Sequence, residues 1–191
     1  MEFQLAKDFI LEKLKQELPP TLSYHSLHHV LDVYHSAEEI CKAEQVGEHD
    51  TLLVLTAALF HDSGFTVRAK GHEQIGCDIA REYLPKFGYQ EHDIDKICGM
   101  IMATKIPQTP YNHLEEILAD SDLDYLGRDD FFTIGETLFE ELKQIGFFLS
   151  EQDWNQLQIK FLESHHYFTK FAQEHRQTKK NIYLKKLKEN I

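Results

Sequence analysis

Apolar residues in this chain recur every three or four positions, and Val, Ile and Thr nowhere alternate cleanly with polar residues over five or more positions. The pattern predicts helices throughout. A first amphipathic helix is expected from about Phe3 to Leu18, stopped by Pro19-Pro20. A second should start near Ser23, a good N-cap, and run to about Glu44 with Leu27, Val30, Leu31, Tyr34, Ala37 and Cys41 on one stripe. The third, about His49 to Asp62, is apolar nearly all round and should sit centrally in the core, with Gly64 ending it. A polar loop, Thr66 to Gly71, leads to helices at about His72 to Leu84 and Asp93 to Thr104. Pro107 and Pro110 mark a loop before a short helix, about His113 to Ala119. Beyond the acidic segment Asp120 to Asp130, with Asp129 or Asp130 expected as a cap, a helix runs to about Gln144. Two more helical segments, split near His165, complete a single all-α unit over residues 1–191 without repeat or linker.

Composition narrows the class. With 42% hydrophobic and 12% aromatic residues, the chain can bury a real core. No apolar run approaches the roughly 18 residues of a membrane span, since Leu52 to Phe60 is half that. The start, Met1-Glu2-Phe3-Gln4, lacks the basic and apolar regions of a secretory signal, so a cytoplasmic, soluble protein is expected. Cys41, Cys77 and Cys98 are far apart in sequence and form no CxxC pair, which argues for buried thiols rather than disulfides or a zinc ribbon. The net charge of −12 disfavours a duplex nucleic-acid partner. The basic run from Arg176 to Ile191 reads as the solvated face of a last helix, with an acidic partner or membrane surface as the alternative.

Twelve histidines are many for this length, and three clusters carry the chemistry. His25 and His29 are four residues apart on the expected second helix, with Asp32 on the same face, opposite the apolar stripe. That face could equally meet solvent or line a cleft. His61-Asp62 closes the most apolar helix, where the carbonyl dipoles make a carboxylate electrostatically misplaced. A cation held by both residues removes the conflict; a polar, part-exposed helix end is the plainer reading. Asp120, Asp122 and Asp124 alternate with Ser121, Leu123 and Tyr125, as in a half-buried segment whose charges need screening. Two imidazoles and two carboxylates make a mixed nitrogen and oxygen donor set for a borderline-hard ion.

The blocks Tyr24-His25-Ser26-Leu27-His28-His29-Val30-Leu31-Asp32-Val33, Leu59-Phe60-His61-Asp62-Ser63-Gly64 and Asp120-Ser121-Asp122-Leu123 resemble the H…HD…D signature of HD-domain metal-dependent phosphohydrolases. The first block is also similar to the YHxxxHxxDV stretch of cyclic-nucleotide phosphodiesterases. The resemblance implies an HD-domain helical bundle with additional C-terminal helices: a metal-binding core over about 22–128 and a helical extension over about 129–191. It implies metal ligands His29, His61, Asp62 and Asp122, with Asp120 as the other choice for the last, around a divalent ion that could be Mn, Mg, Fe, Ni, Co or Zn. His25 matches the histidine that protonates a leaving oxygen, and His72 one that supports a second metal or the substrate phosphate. Asp62 would also orient or deprotonate the attacking water, with His25 or His72 as proton donor. Two departures limit the likeness. Ala103-Thr104-Lys105-Ile106 stands where many two-metal members have a further histidine, and no Glu-Asp pair follows Ser63-Gly64-Phe65, which disfavours alarmone hydrolysis.

The expectation is therefore hydrolysis of a phosphomonoester or phosphodiester of a nucleotide-like small molecule, by a protein that could form a homodimer. Arg68, Lys70, Lys105 and Arg128 are the cations near the motifs that could meet the phosphate. Rival readings are a degenerate HD module that binds a ligand or partner, and a di-iron HD oxygenase. No GxSxG elbow, GxxxxGK[ST] loop or GxGxxG fingerprint offers another chemistry.

Overall fold

The computed structural model describes residues 1–147 and 150–189, and they form ten α-helices and three short 3₁₀ turns with no strand. Helices α1 (Phe3–Glu17), α2 (Leu27–Ala43), α3 (Glu48–Phe60), α4 (His72–Tyr83), α5 (Glu91–Ala103) and α6 (His113–Asp122) build the first part. Then come α7 (Phe131–Gln144), α8 (Glu151–Ser164), α9 (Lys170–His175) and α10 (Gln177–Glu189). The last two residues of the basic run, Asn190 and Ile191, lie outside the described residues.

The apolar run of α3 has the consequence expected of it. Every residue from Leu53 to Phe60 is buried, and the helix touches α1, α2, α4, α5 and α6. A helix without a polar face has to be surrounded. The other helices present one stripe each to it, such as Ala6, Ile10 and Leu14 of α1. A second cluster of buried apolar side chains, including Tyr125, Phe131, Leu162, Tyr167 and Tyr183, joins the turn after α6 to α7, α8 and α10.

The structure moves three expected boundaries. The second helix starts at Leu27, not Ser23, because the backbone N–H groups of Tyr24 and His25 donate to the Glu141 carboxylate at 2.8 and 3.0 Å. Asp130 occupies the N-cap position of α7 without capping it, since its carboxylate receives the Arg128 guanidinium instead. The chain after His165 forms two helices, α9 and α10. The entry to α9 is fixed by Asp120, which accepts from Phe168 N, Thr169 N and Thr169 Oγ1. All three cysteines are buried and free. No described helix is long and apolar enough to cross a membrane.

Candidate metal centre

Helix α3 delivers His61 and Asp62 from the core side, where its last turn runs into the 3₁₀ turn Ser63–Thr66. That turn lies against the start of α4 so closely that a Cβ on Gly64 would sit 2.0 Å from the His72 carbonyl oxygen. Only glycine allows this approach, and it sets His72 beside Asp62. His29 comes from the first turn of α2 and Asp122 from the last residue of α6.

These side chains converge. The Nε2 atoms of His29 and His61 are 3.4 Å apart. Asp122 Oδ1 lies 3.1 Å from the first and 3.6 Å from the second. Asp62 Oδ2 lies 3.5 and 3.2 Å from the same two nitrogens. His29, His61 and Asp122 each bring a donor atom within 4.8 Å of the other two. The separations within that trio suit donors that share one ion at about 2.0–2.2 Å, with Asp62 Oδ2 alongside the two imidazoles.

The hydrogen bonds around the cluster point the same way. His61 Nδ1 faces the Ala58 carbonyl at 2.8 Å, which fixes a hydrogen there and turns Nε2 to the carboxylates. His72 Nδ1 likewise faces Ala69 O at 3.0 Å, leaving Nε2 3.4 Å from Asp62 Oδ1. Asp62 thus presents Oδ2 to His29 and His61 and Oδ1 to His72, as a bridging carboxylate would. Its Oδ2 is buried with no hydrogen-bond partner, a state that costs about 1–3 kcal/mol or more for a charged oxygen. A divalent cation among these donors removes that cost, so the residues present fit the metal that the HD signature implies.

Electrostatics agree with the geometry. Burial alone would raise the Asp62 carboxyl, but the His61 imidazole outweighs it and holds Asp62 well below the usual carboxylate range. Burial acts in the same sense on Asp122, and bonds from His29 and His61 bring it down to about 2. Burial disfavours the His61 imidazolium, yet Asp62 and Asp122 push its pKa well above the ordinary value. Both carboxylates are therefore held in the ionised form that a cation binds.

The polar face of α2 therefore lines a cleft rather than meeting solvent. His29 is buried with its ring 4.7 Å from that of Tyr24. His25 lies just before the helix, stacked at 4.2 Å on Phe65, whose other neighbour is the His72 ring at 4.1 Å. Asp32, grouped with the two histidines by its spacing, instead takes a two-pronged bond from Arg128 at 3.0 and 2.8 Å. Arg128 also bonds Asp124 and Asp130, so its guanidinium is committed to three carboxylates and is not presented to a substrate. Arg68 is exposed and outside the cavity that opens on Asp62 and Asp122, whereas Lys70 and Lys105 line it. Asp120 belongs to the α9 entry, and burial raises its carboxyl to about 6.

Sequence reasoning missed Glu141. It accepts from both backbone N–H groups of Tyr24 and His25 and faces His25 Nδ1 at 2.5 Å. Burial opposes the His25 imidazolium, but Glu141 and then Asp62 outweigh it and raise the His25 pKa. No local signal marks Glu141, which sits in an acidic helix beside Glu140.

Comparison with known proteins follows the same line. No curated protein matches the chain. The crystal structure of a predicted HD superfamily hydrolase from an uncultured Thermotogales bacterium shares its fold with a TM-score of 0.65. The likeness covers 95% of this chain and 89% of that one at 19% identity. Residues 26–124 match the HD domain family, a span that holds His29, His61, Asp62 and Asp122, and the chain belongs to that family.

Proposed function

We propose that the protein is a metal-dependent hydrolase of phosphate esters. The observation that carries this reading is the orphaned, buried Asp62 Oδ2 among two inward-turned imidazoles and a second carboxylate. A divalent ion bound there supplies Lewis acidity toward a phosphoryl oxygen and toward the attacking water. Asp62 spans that position and His72, so it can orient the water and take up its proton. Lys70 and Lys105 on the cavity wall bring positive charge to the ester phosphate. His25 holds Nδ1 against Glu141, which leaves Nε2 as the nitrogen able to give a proton to the leaving oxygen. His72, with its hydrogen on Nδ1, is arranged as a ligand rather than as that proton donor.

Metal analysis of the purified protein, then phosphate release from a panel of monoesters and diesters with Mn, Mg, Ni and Co, tests the reading. The expected result is release that needs one of these ions and stops on chelation. Inert protein with every ion would return the site to a ligand-binding module, and iron with an oxygen-dependent optical band would indicate oxygenase chemistry. A nucleotide-like ester satisfies the phosphate end of the site; the organic end is a separate question.

A further inference from the structure

The cavity of about 670 Å³ that opens on His25, Asp62, His72 and Asp122 does not end at the metal centre. It continues between α7 and α8 along Leu126, Leu138, Leu142, Trp154, Phe161 and Leu162. Among the described lining residues of these two helices, Gln158 is the one side chain, Gly135 aside, that is neither aliphatic nor aromatic. Its amide already faces Asn155 Oδ1 at 3.4 Å. All of this wall lies beyond residue 124, outside the segment that matches the HD family. Leu157, on the same wall, is 44% exposed, so apolar surface is left open to water.

We infer that the organic part of the substrate is apolar, making the substrate a phosphate ester of an aliphatic or aromatic alcohol rather than of a nucleoside. The inference rests on the phosphoester reading for its polar end. A nucleoside entering the chamber would bring amino, carbonyl and hydroxyl groups to a wall with almost nothing to bond them, and unpaired polar groups there weaken binding. An alkyl or aryl chain has no such groups and gains affinity with each methylene withdrawn from water.

The single tryptophan of the chain, Trp154, lines this chamber, so its fluorescence reports entry directly. Alkylphosphonates from methyl to octyl, which cannot be hydrolysed, are titrated with Mn present, beside adenosine monophosphate. Affinity is expected to rise about fourfold per methylene, with adenosine monophosphate no tighter than methylphosphonate. Gly135→Leu, aimed at the space near Trp154, and Leu157→Glu, at an exposed position that tolerates charge, should both flatten the increment. A flat series in the native protein, or tighter binding of the nucleotide than of octylphosphonate, overturns the inference. Ester hydrolysis with a flat series would leave the hydrolase standing and remove the apolar chamber. A steep series with no ester cleaved under any metal would support the chamber and remove the hydrolase.

Discussion

Glu141 and His25 are joined across 116 residues by a 2.5 Å contact between Oε1 and Nδ1, while the other Glu141 oxygen holds the backbone of Tyr24 and His25. One carboxylate thus fixes the segment, the ring and the charge of the group that faces the cavity.

That relationship predicts a change in pH dependence. Glu141 stabilises the imidazolium, so the folded His25 pKa lies above its ordinary value and the acid form persists to higher pH. Glu141→Gln removes the negative charge, and the alkaline limb of the pH–rate profile should move to lower pH. His25→Ala should lower kcat by about a hundredfold or more and abolish that limb. An unchanged limb in Glu141→Gln would separate the pair from the chemistry.

Asp62 and Asp120 give opposite expectations for similar substitutions. Asp62→Asn removes the carboxylate charge set between His61 and His72, and metal content by elemental analysis should fall at least about tenfold while helicity by circular dichroism stays near native. Asp120→Ala leaves the cluster intact but deprives three donors at the α9 entry of their acceptor. Metal content should be retained and stability should drop by about 1–3 kcal/mol in urea. Metal loss in Asp120→Ala, with retention in Asp62→Asn, would reverse the two roles.

Gly64 tests how the metal loop is placed. A methyl group there would collide with the His72 backbone at 2.0 Å, and backbone cannot swing aside as a side chain does. Gly64→Ala should cost about 1–3 kcal/mol or more and lower Tm by roughly 2–4 °C per kcal/mol. Gly47→Ala, where nothing lies within 4 Å, should cost only about 1 kcal/mol or less, the difference between the two residues at the N-cap of α3. Equal melting curves for the two variants would show that the turn has room to relax.

How much of this was legible depended on the range of the interaction. The all-round apolarity of α3 is a local property, so its central burial followed from spacing alone. His61-Asp62 stood out because a carboxylate at the end of such a helix conflicts with its surroundings. Asp122 was preferred to Asp120 on the family pattern alone, since both are acids at the end of one helix and only the fold turns one to His29 and the other to Thr169. Arg128 looked like a free cation because Asp32, its main partner, is 96 residues away. Glu141 was invisible for the same reason. The start of α2 was misplaced because that distant carboxylate, not the helix ladder, receives the N–H groups of Tyr24 and His25. The apolar chamber needed two helices side by side, each of which reads singly as an ordinary amphipathic helix.

Stability at mildly acid pH should depend on His165. Burial, and then the neighbouring Lys180 ammonium, lower its pKa to about 3. Lys180 Nζ donates to the His165 carbonyl at 2.5 Å and lies 3.1 Å from Nδ1, so that nitrogen is held as a lone pair. The unfolded chain, with an ordinary imidazole near 6.5, binds the extra proton first as pH falls. This contribution to stability is therefore complete above about pH 6.5 and is lost progressively toward pH 3. His165→Gln, which carries no titrating group, should show a smaller fall in the urea midpoint between pH 7 and 4.5 than the native protein, even if its neutral-pH stability is lower. A native midpoint as flat as the variant's over that range would mean that His165 accepts its proton in the folded state and that Lys180 moves away to admit it.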